Sequence, residues 1–496
     1  MVTRRPGSST TSELDGITGS SLHQTIKSVD QLIETFKATT GAPGVSACIS
    51  IGGAIIYSKG FGLADVEQGV SVSPQTKFRI ASISKSFTSL LTGRLIDQAR
   101  LDLNADIRTY LPDFSPKTLE GKSSPISMKH LLSHTSGVRD YYKAGEEKKT
   151  DMCPEEMLIT KAYDSAHDSL AIFRDDALIH LPGEDYLYSS HGYVVAAAVI
   201  EAIVANTHPP KPLFERPARL KEVLDINEKK DTGTKLSNDS KSGSLFKQLF
   251  AFLGLHNTCL DEPNAVIPFR ASCLSFRLMP AALNIFQYLI PRPYRREKSN
   301  GCLANTPWVD NSYKWSGGGI LSTAPDLIQM ANHVAGIYLG QYEGMENLAV
   351  VSRKTLVNFL WSPVCGTVQG SWLPGGLYGL GWFVARRSTA PSDKARSLNQ
   401  PDRLYVGHTG GAVGFTSILL LSLPICMEQM CQSAPSLVQI SQLPPICVAI
   451  LVNQEGAHGI GSLAIQIVET LTGALLASNI SNNWTSLSSI TAKAAH

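Results

Sequence analysis

The stretch FRIASISKSFTSLL, residues 78–91, places Ser82 three positions before Lys85 at the start of an amphipathic pattern. Apolar residues recur at spacings of three and four in SKSFTSLLTGRLIDQARLDLN, and no proline interrupts them. We therefore predict a helix that begins at or near Ser82. A serine hydroxyl is a poor nucleophile without a base nearby. A lysine at i+3 shares a helix face with the serine, and it could be that base if burial lowers its pKa from about 10.4.

The Ser-x-x-Lys spacing is weak evidence by itself. A second copy occurs at Ser244 and Lys247 in SLFK, and we interpret that copy as chance. A chemical role for Ser82 and Lys85 therefore requires partner residues elsewhere in the chain.

One candidate partner is Tyr188 in YLYSSHGY, which follows the turn-forming PGED and precedes an apolar helical pattern. A phenol beside a lysine can relay a proton in general acid/base chemistry. The chain has 15 tyrosines, so the alternative is a packed aromatic residue next to a helix cap.

A second candidate lies in RLYVGHTGGAVGFTSILLL, where His408, Thr409, Gly410 and Gly411 stand between two strand-like runs. Glycines at a strand edge allow close approach of a substrate backbone. The amide of Gly411 could also face a developing oxyanion. The alternative is a glycine-rich bend.

A similar HTSG occurs at His134 to Gly137, and there we predict that Gly137 ends the helix SMKHLLSHTSG. His130 and His134 have the i, i+4 spacing of a metal site, but Leu131 stands where a zinc protease has its glutamate. We expect no metal and no cofactor. Three glycines, Gly317–Gly319 in WSGGGILSTAPDL, could line a cleft or cap a helix.

Composition excludes several classes of protein. The 496 residues are 43% hydrophobic and 17% charged, which is typical of a folded globular chain. A net charge of +2 without a long basic run argues against nucleic acid as a partner. The nine cysteines contain no C-x-x-C pair, so neither a disulfide framework nor a zinc ribbon is indicated. Apolar stretches such as YVVAAAVIEAIVA are shorter than a membrane span of about 18–20 residues.

Patterns along the chain indicate its organisation. Two β-branched runs flank Gly52-Gly53 and predict a hairpin. The middle of the chain is mainly helical, including SSHGYVVAAAVIEAIVA, and strand patterns return near the C-terminus. Strands at both ends predict a sheet built from both termini, with an α-rich region inserted. The opening MVTRRPGSSTTS has two arginines and no acid, which fits either a targeting segment or a flexible terminus.

Taken in this order, SISK, YSS and HTG resemble the three active-site motifs of the serine β-lactamase and penicillin-binding superfamily. Flanking segments such as HLLSHTSG and LPGEDYLYSSHGYVVAAAVIEA narrow the resemblance to the branch of class C β-lactamases and D-Ala-D-Ala carboxypeptidases, of the serine peptidase S12 type. The segments RIASISKS, NTPWVDNSYKWSGGG and HTGGAVG are similar to the mitochondrial serine β-lactamase-like proteins of animals. The resemblance covers about residues 41–456.

The resemblance implies an α/β (α+β) fold of the β-lactamase and penicillin-binding-protein type, an antiparallel sheet flanked by helices with an inserted α-rich region. Within it we expect a flexible N-terminal segment with a possible targeting remnant at 1–21, a catalytic domain at 22–475 and a C-terminal tail at 476–496. Polar or unusually long stretches predict insertions at about 208–243, 271–294 and 424–446.

The resemblance also implies roles for single residues. Ser82 would be the acylated nucleophile, Lys85 its base, and Tyr188 a partner in proton transfer to the leaving group. The backbone amides of Ser82 and Gly411 would form the oxyanion hole, and a helix N-terminus at Ser82 would favour the oxyanion as well.

Two positions depart from the motifs of the family. Ser190 stands where Tyr-x-Asn has an asparagine, so a shorter group with a different donor pattern would meet the substrate. His408 replaces the lysine of Lys-Thr-Gly, with Thr409 and Gly410 completing that motif. The charge that would bind a substrate carboxylate is therefore expected to depend on pH, and β-lactam hydrolysis is a weaker expectation than serine chemistry.

The expected function is that of a serine hydrolase that acts through an acyl-enzyme on a peptide or small acyl substrate, with peptidase activity the leading hypothesis. The resemblance implies a role in mitochondria and lipid metabolism, the cytoplasm being the alternative location. Two other functions stay open. One is a weakly catalytic scaffold that assembles into homo-oligomers or filaments, and the other is a lipid or ester hydrolase.

Overall fold

The structure is a computed structural model that describes residues 19–142, 154–207, 212–214, 241–262, 267, 294–296, 302–364, 366–367, 372–387, 403–425 and 443–477.

The predicted hairpin is present: β1 (Gly44–Ile51) and β2 (Ala54–Asp65) pair antiparallel around Gly52 and Gly53. Both glycines have positive φ, 59° and 88°, which is the conformation that a two-residue hairpin turn requires.

An antiparallel sheet of eight strands forms the centre of the fold. The remaining strands are β3 (Val70–Ser71), β4 (Phe78–Arg79), β5 (Thr118–Leu119), β6 (Lys122–Ser123), β7 (Cys259–Leu260), β8 (Tyr294–Arg296), β9 (Leu303–Asn305), β10 (Ile320–Ser322), β11 (Leu377–Tyr378), β12 (Phe383–Arg387), β13 (Arg403–Ala412), β14 (Phe415–Pro424) and β15 (Ile446–Val452). The strand order in the large sheet is β11-β12-β13-β14-β15-β1-β2-β3. The N-terminal hairpin thus pairs with the C-terminal β15, which confirms that the sheet is built from both ends of the chain.

Helices cover both faces of the sheet and fill the middle of the chain. They are α1 (Gly19–Thr40), α2 (Ser84–Asp97), α3 (Met128–Leu132), α4 (Ala166–Ser169), α5 (Ser190–Ala205), α6 (Lys241–Phe252), α7 (Ala324–Tyr338), α8 (Arg353–Thr355) and α9 (Ile460–Ala477). The helices α2 to α8 lie between the two groups of sheet strands in the chain, as the α-rich insertion predicts.

Side chains of the central strands alternate between two cores. In β14, Ile418 and Leu420 belong to the core under α1 and α9, whereas Leu419 and Leu421 belong to the larger core that contains α2, α5 and α7. Successive side chains of a strand point to opposite faces. Because both faces are covered, the run ILLL at residues 418–421 is apolar throughout instead of alternating.

The last helix, α9, is the one described helix that is long and apolar enough to span a membrane by length and composition. More than half of its apolar window is buried inside the protein, where residues such as Leu463, Ile467 and Leu471 pack in the core against the sheet and α1. Its composition therefore fits a core helix.

The predicted end of the HLLSHTSG helix is wrong. The helix α3 ends at Leu132, and the first left-handed residue after it is His134, with φ 62°. Gly137 also has a positive φ, 74°, but a Cβ there would overlap the carbonyl oxygen of His180. Gly137 is thus required for close packing of two loop segments and not for capping a helix.

The domain boundaries and insertions stay predictions. Most of the stretches 208–243, 271–294 and 424–446 lies outside the described residues, as do most of 1–21 and 476–496. The described helices at the two ends of the predicted catalytic domain begin at Gly19 and end at Ala477.

Candidate active site

Ser82 lies in a short 3-10 helix, Ala81–Ile83, that leads directly into α2. The residue before it, Ala81, has φ 49°, a left-handed conformation that non-glycine residues rarely adopt. Ala81 and Ile83 are buried, whereas Ser82 is partly exposed. Strained backbone of this kind persists where the surrounding structure fixes it and is frequent at functional sites. The turn presents the Ser82 hydroxyl at a surface while its neighbours are held in the core.

Lys85 lies one helical turn further on, and its side chain is fully buried. Its Nζ donates to the carbonyl oxygen of Gly317 at 2.7 Å and lies 3.1 Å from Ser82 Oγ and 3.3 Å from Ser190 Oγ. A neutral amine has two N–H donors and one lone pair. It can therefore donate to Gly317 and Ser190 and accept the hydroxyl proton of Ser82 without losing a partner.

Burial lowers the pKa of Lys85 to about 7. The carboxylate of Asp140 acts in the opposite direction, and the positive charge of Lys314 adds to the lowering. Burying an ammonium without a direct carboxylate contact costs free energy, so burial favours the neutral amine of Lys85 near physiological pH. Lys85 therefore meets the condition that we predicted for a base, which is burial.

Tyr188 reaches Ser82 from the segment that precedes α5. Ser82 lies close enough to the Tyr188 phenol to lower its pKa, and Lys85 Nζ lies 4.8 Å from the centroid of the Tyr188 ring. Burial raises the pKa of Tyr188 well above its usual value, so the side chain is a neutral phenol at physiological pH. The structure thus brings Ser82, Lys85 and Tyr188 together, although they are distant in sequence.

Ser190 is the first residue of α5 and is only 5% exposed. Its Oγ faces Lys85, and its backbone N–H donates to Asp140 Oδ1 at 2.8 Å. These contacts make the hydroxyl part of the polar shell around the lysine, and the substrate contact that the resemblance implies for Ser190 stays a prediction.

The strand β13 passes directly beside the Ser82 turn at Gly410. A Cβ at Gly410 would overlap Ser417 Oγ and the carbonyl oxygen of Ile80, and it would lie 3.0 Å from the Cβ of Ala81. Ser417 Oγ also donates to the Ile80 carbonyl at 2.8 Å. The next residue, Gly411, is exposed, and a Cβ there would meet no atom of the described residues within 4 Å. Gly410 therefore allows two segments to pack closely, whereas Gly411 faces open space.

Replacing Gly410 by alanine is expected to lower the free energy of unfolding by about 1–3 kcal/mol, because the added methyl group forces β13 and the Ser82 turn apart. Gly411→Ala is the matched control and should change stability by less than about 0.5 kcal/mol. Urea unfolding of both variants measures the difference. Equal stability of the two variants would contradict the close approach.

His408 does not provide the pH-dependent charge that its place in the motif predicts. Its ring is 2% exposed, its Nε2 lies 2.8 Å from the hydroxyl of Tyr378, and its Nδ1 lies 2.5 Å from the carbonyl oxygen of Thr409. The carbonyl requires N–H at Nδ1, so Nε2 accepts from Tyr378. Burial lowers the pKa of His408 to about 3, and the charge of Lys85 adds to this lowering. The imidazole is therefore neutral throughout the physiological range.

Sequence reasoning missed several residues of the site. Asp140 holds the N–H of Ser190, and Tyr378 fixes the tautomer of His408. Gly317 belongs to the run that could line a cleft, but its role in holding Lys85 through its carbonyl was not predicted. The glycine run at 317–319 is conspicuous in the sequence, but its contact partner Lys85 lies 232 positions away. Asp140 closely follows the HTSG segment, which is the signal that could have drawn attention to it.

The fold and the arrangement of Ser82, Lys85 and Tyr188 resemble those of β-lactamase-related serine hydrolases. A family model described as Beta-lactamase matches residues 29–209. The chain is similar to the serine β-lactamase-like family, a family of serine hydrolases. It is similar to the serine β-lactamase-like protein LACTB, mitochondrial, of Mus musculus, with 29% identity over 507 residues that cover 89% of this chain and 79% of the mouse protein.

Solved structures agree on the fold. An octameric penicillin-binding protein homologue from Pyrococcus abyssi aligns with a TM-score of 0.57 and 20% identity, covering 90% of this chain and 77% of that one. A D-stereospecific amidohydrolase from Streptomyces sp. aligns with a TM-score of 0.55 and 18% identity, covering 88% and 96% of the two chains. The predicted β-lactamase and penicillin-binding-protein fold is confirmed.

Proposed function

We propose that the protein is a peptidase-type serine hydrolase that forms an acyl-enzyme on Ser82. The observation that carries the proposal is the fully buried Lys85, whose Nζ lies 3.1 Å from Ser82 Oγ and whose pKa is lowered to about 7 by burial. A base with a pKa near the working pH is the most effective at removing a hydroxyl proton.

The proposed reaction has two halves. Ser82 Oγ attacks the acyl carbon while its proton passes to the neutral amine of Lys85, and the backbone amides of Ser82 and Gly411 receive the oxyanion. The bond to the leaving group then breaks, the leaving group takes the proton of the Tyr188 phenol, and Tyr188 regains a proton from the Lys85 ammonium. Water attacks the resulting ester by the reverse path and releases the acid.

The neutral state of His408 points to the class of substrate. His408 has the place in the motif where a side chain would bind a free carboxylate beside the scissile bond. Its ring carries no charge, and its two nitrogens are already hydrogen-bonded to Tyr378 and to the Thr409 carbonyl. A carboxylate placed there would lose water without gaining a cationic partner at this position. We therefore propose amide bonds within peptides, and neutral esters including those of lipids, as substrates.

A substrate panel tests this specificity. The panel contains fluorogenic peptides with an internal scissile amide bond, neutral acyl esters and a chromogenic cephalosporin that carries a carboxylate. We expect kcat/KM for the peptides or the neutral esters to be at least about tenfold higher than kcat/KM for the cephalosporin. Ser82→Ala run in parallel identifies turnover that does not depend on the site. A clear preference for the cephalosporin would overturn the proposed substrate class but not the nucleophile.

The pH dependence of kcat/KM should report Lys85. Its neutral form is the base, so kcat/KM is expected to rise with pH, to be about one tenth of its plateau at pH 6 and to level off above pH 8, given a pKa of about 7. His408 does not titrate in this range because burial lowers its pKa to about 3. Thermal unfolding at each pH controls for loss of folded protein. A profile that is flat or falls between pH 5.5 and 8.5 would exclude Lys85 as the base.

We also propose a mitochondrial location, supported by the names of similar proteins such as the mouse relative. Fractionation of cells that express the tagged full-length chain tests the location, and recovery of the protein in the cytosol alone would refute it.

Assembly is a second candidate property, favoured by the octameric state named for the structural neighbour from Pyrococcus abyssi. Mass photometry of the purified protein over a range of concentrations tests it. Particles of 53.5 kDa, the mass of one chain, at every concentration would count against assembly.

A further inference from the structure

The segment after α3 is docked along the loop that carries Tyr188. The N–H of Leu187 donates to the carbonyl of His134 at 2.8 Å, and the N–H of Ser189 donates to His134 Nδ1 at 3.0 Å. Both amides next to Tyr188 in the chain are thus held by one residue, His134. This residue begins the HTSG copy whose sequence context predicts a helix end.

The ring of His134 also supports the ring of Tyr188. The two ring centroids are 4.1 Å apart with an interplanar angle of 33°. The same imidazole lies 4.7 Å from the ring of Tyr378 and 5.3 Å from that of Tyr193. His134 is 1% exposed, so the Tyr188 ring packs against a buried imidazole. Ring contacts of this kind fix the orientation of the partner ring.

The chemistry of His134 shows which of its atoms matter. Because Nδ1 accepts the Ser189 N–H, the proton of the neutral ring is on Nε2, and Nε2 is buried without a hydrogen-bond partner among the described residues. Burial lowers the pKa of His134 well below its usual value, and the positive charge of protonated Lys85 acts in the same direction. A phenylalanine would fill this space without an unpaired N–H. The acceptor at Nδ1 is therefore the property that a histidine adds here.

We propose that His134 is a positioning residue for the reaction: its Nδ1 and its ring hold Tyr188 so that the phenol reaches Ser82 and the leaving group. This inference rests on the proposed function, in which Tyr188 delivers a proton to the leaving group. The left-handed backbone of His134, φ 62°, is compatible with histidine and asparagine more readily than with most residues.

The dependence on the leaving group separates positioning from a merely structural role. An amine needs a proton in order to leave, whereas p-nitrophenolate leaves without one. Loss of Tyr188 alignment should therefore slow amide hydrolysis and spare the hydrolysis of a p-nitrophenyl ester. A partly unfolded variant would lose both activities by the same factor.

The experiment compares two substitutions at the same position. His134→Phe keeps a ring but leaves the Ser189 N–H without its acceptor, and it is expected to lower the ratio of amide to ester kcat/KM by about 10- to 100-fold. His134→Asn restores an acceptor near the position of Nδ1 and tolerates the left-handed backbone, so it should recover the part of the ratio that depends on the acceptor but not the part that depends on the ring. Tyr188→Phe is expected to show the same loss of ratio as His134→Phe.

His130 provides a matched control. Its Nδ1 also accepts a backbone N–H, that of Ser127, in the capping box of α3, but it does not hold the Tyr188 loop by a hydrogen bond. His130→Phe should therefore lower thermal stability and leave the amide-to-ester ratio unchanged.

Active-site titration with the ester gives the concentration of folded sites, to which each rate is normalised. If the phenylalanine variant does not fold, His134→Leu is the second apolar variant. An unchanged ratio in the apolar variants, or equal loss in the asparagine variant, would overturn the role of His134. Absence of Ser82-dependent turnover in the unmodified protein would instead overturn the proposed function.

Discussion

Replacement of Ser82 by alanine is expected to reduce turnover of the best substrate at least about a thousandfold, because the alanine has no oxygen to attack the acyl carbon. Stability should change little, since Ser82 is partly exposed and its neighbours in the short helix are already buried. Steady-state kinetics with the substrate identified by the panel measure the effect.

The second Ser-x-x-Lys copy offers the control for this substitution. Lys247 is an exposed residue of α6 whose Nζ lies 3.5 Å from Glu262, the arrangement of a surface ion pair. Ser244→Ala should leave kcat/KM unchanged. If Ser82→Ala kept more than a tenth of the activity, Ser82 would not be the nucleophile.

Replacement of Lys85 by methionine is expected to lower kcat/KM by about 10²–10⁴, the usual contribution of a positioned base. Methionine fills most of the buried space but cannot accept a proton. The variant should also lose the rise of kcat/KM near pH 7, because the group that titrates there is gone.

Lys85→Arg separates proton transfer from charge. A guanidinium keeps the positive charge but cannot be deprotonated in a protein. Arginine should therefore lower kcat/KM as severely as methionine, and Lys247→Met should have no effect. An arginine variant with near-normal activity would mean that the charge of Lys85 matters and its proton transfer does not.

Much of the fold could be predicted from local patterns. The glycine pair of the first hairpin, the helix after Ser82 and the apolar run of α5 each have a signal that is complete within a few residues. The sheet built from both ends followed from where the strand patterns occur. The end of α3 was missed because a histidine, not the expected glycine, takes the left-handed conformation there.

The candidate site was only partly predictable, since its properties arise from contacts between distant segments. The sequence indicated Ser82, Lys85 and Tyr188, but the Nζ of Lys85 is held by the distant carbonyl of Gly317, and the tautomer of His408 is fixed by Tyr378. A histidine in a motif is compatible with either protonation state until its neighbours are known. The proposed role of His134, the first residue of HTSG, depends on a similar long-range contact, the hydrogen bond from the Ser189 N–H to its Nδ1.

The central claim is that Ser82 becomes acylated. The most direct test treats the unmodified full-length protein with an active-site phosphonate probe and maps the adduct by peptide mass spectrometry. We predict one adduct, on the peptide that contains Ser82, with labelling faster at pH 8 than at pH 6 because the base Lys85 has a pKa of about 7. An adduct on any other residue, or labelling that persists in Ser82→Ala, would contradict the account.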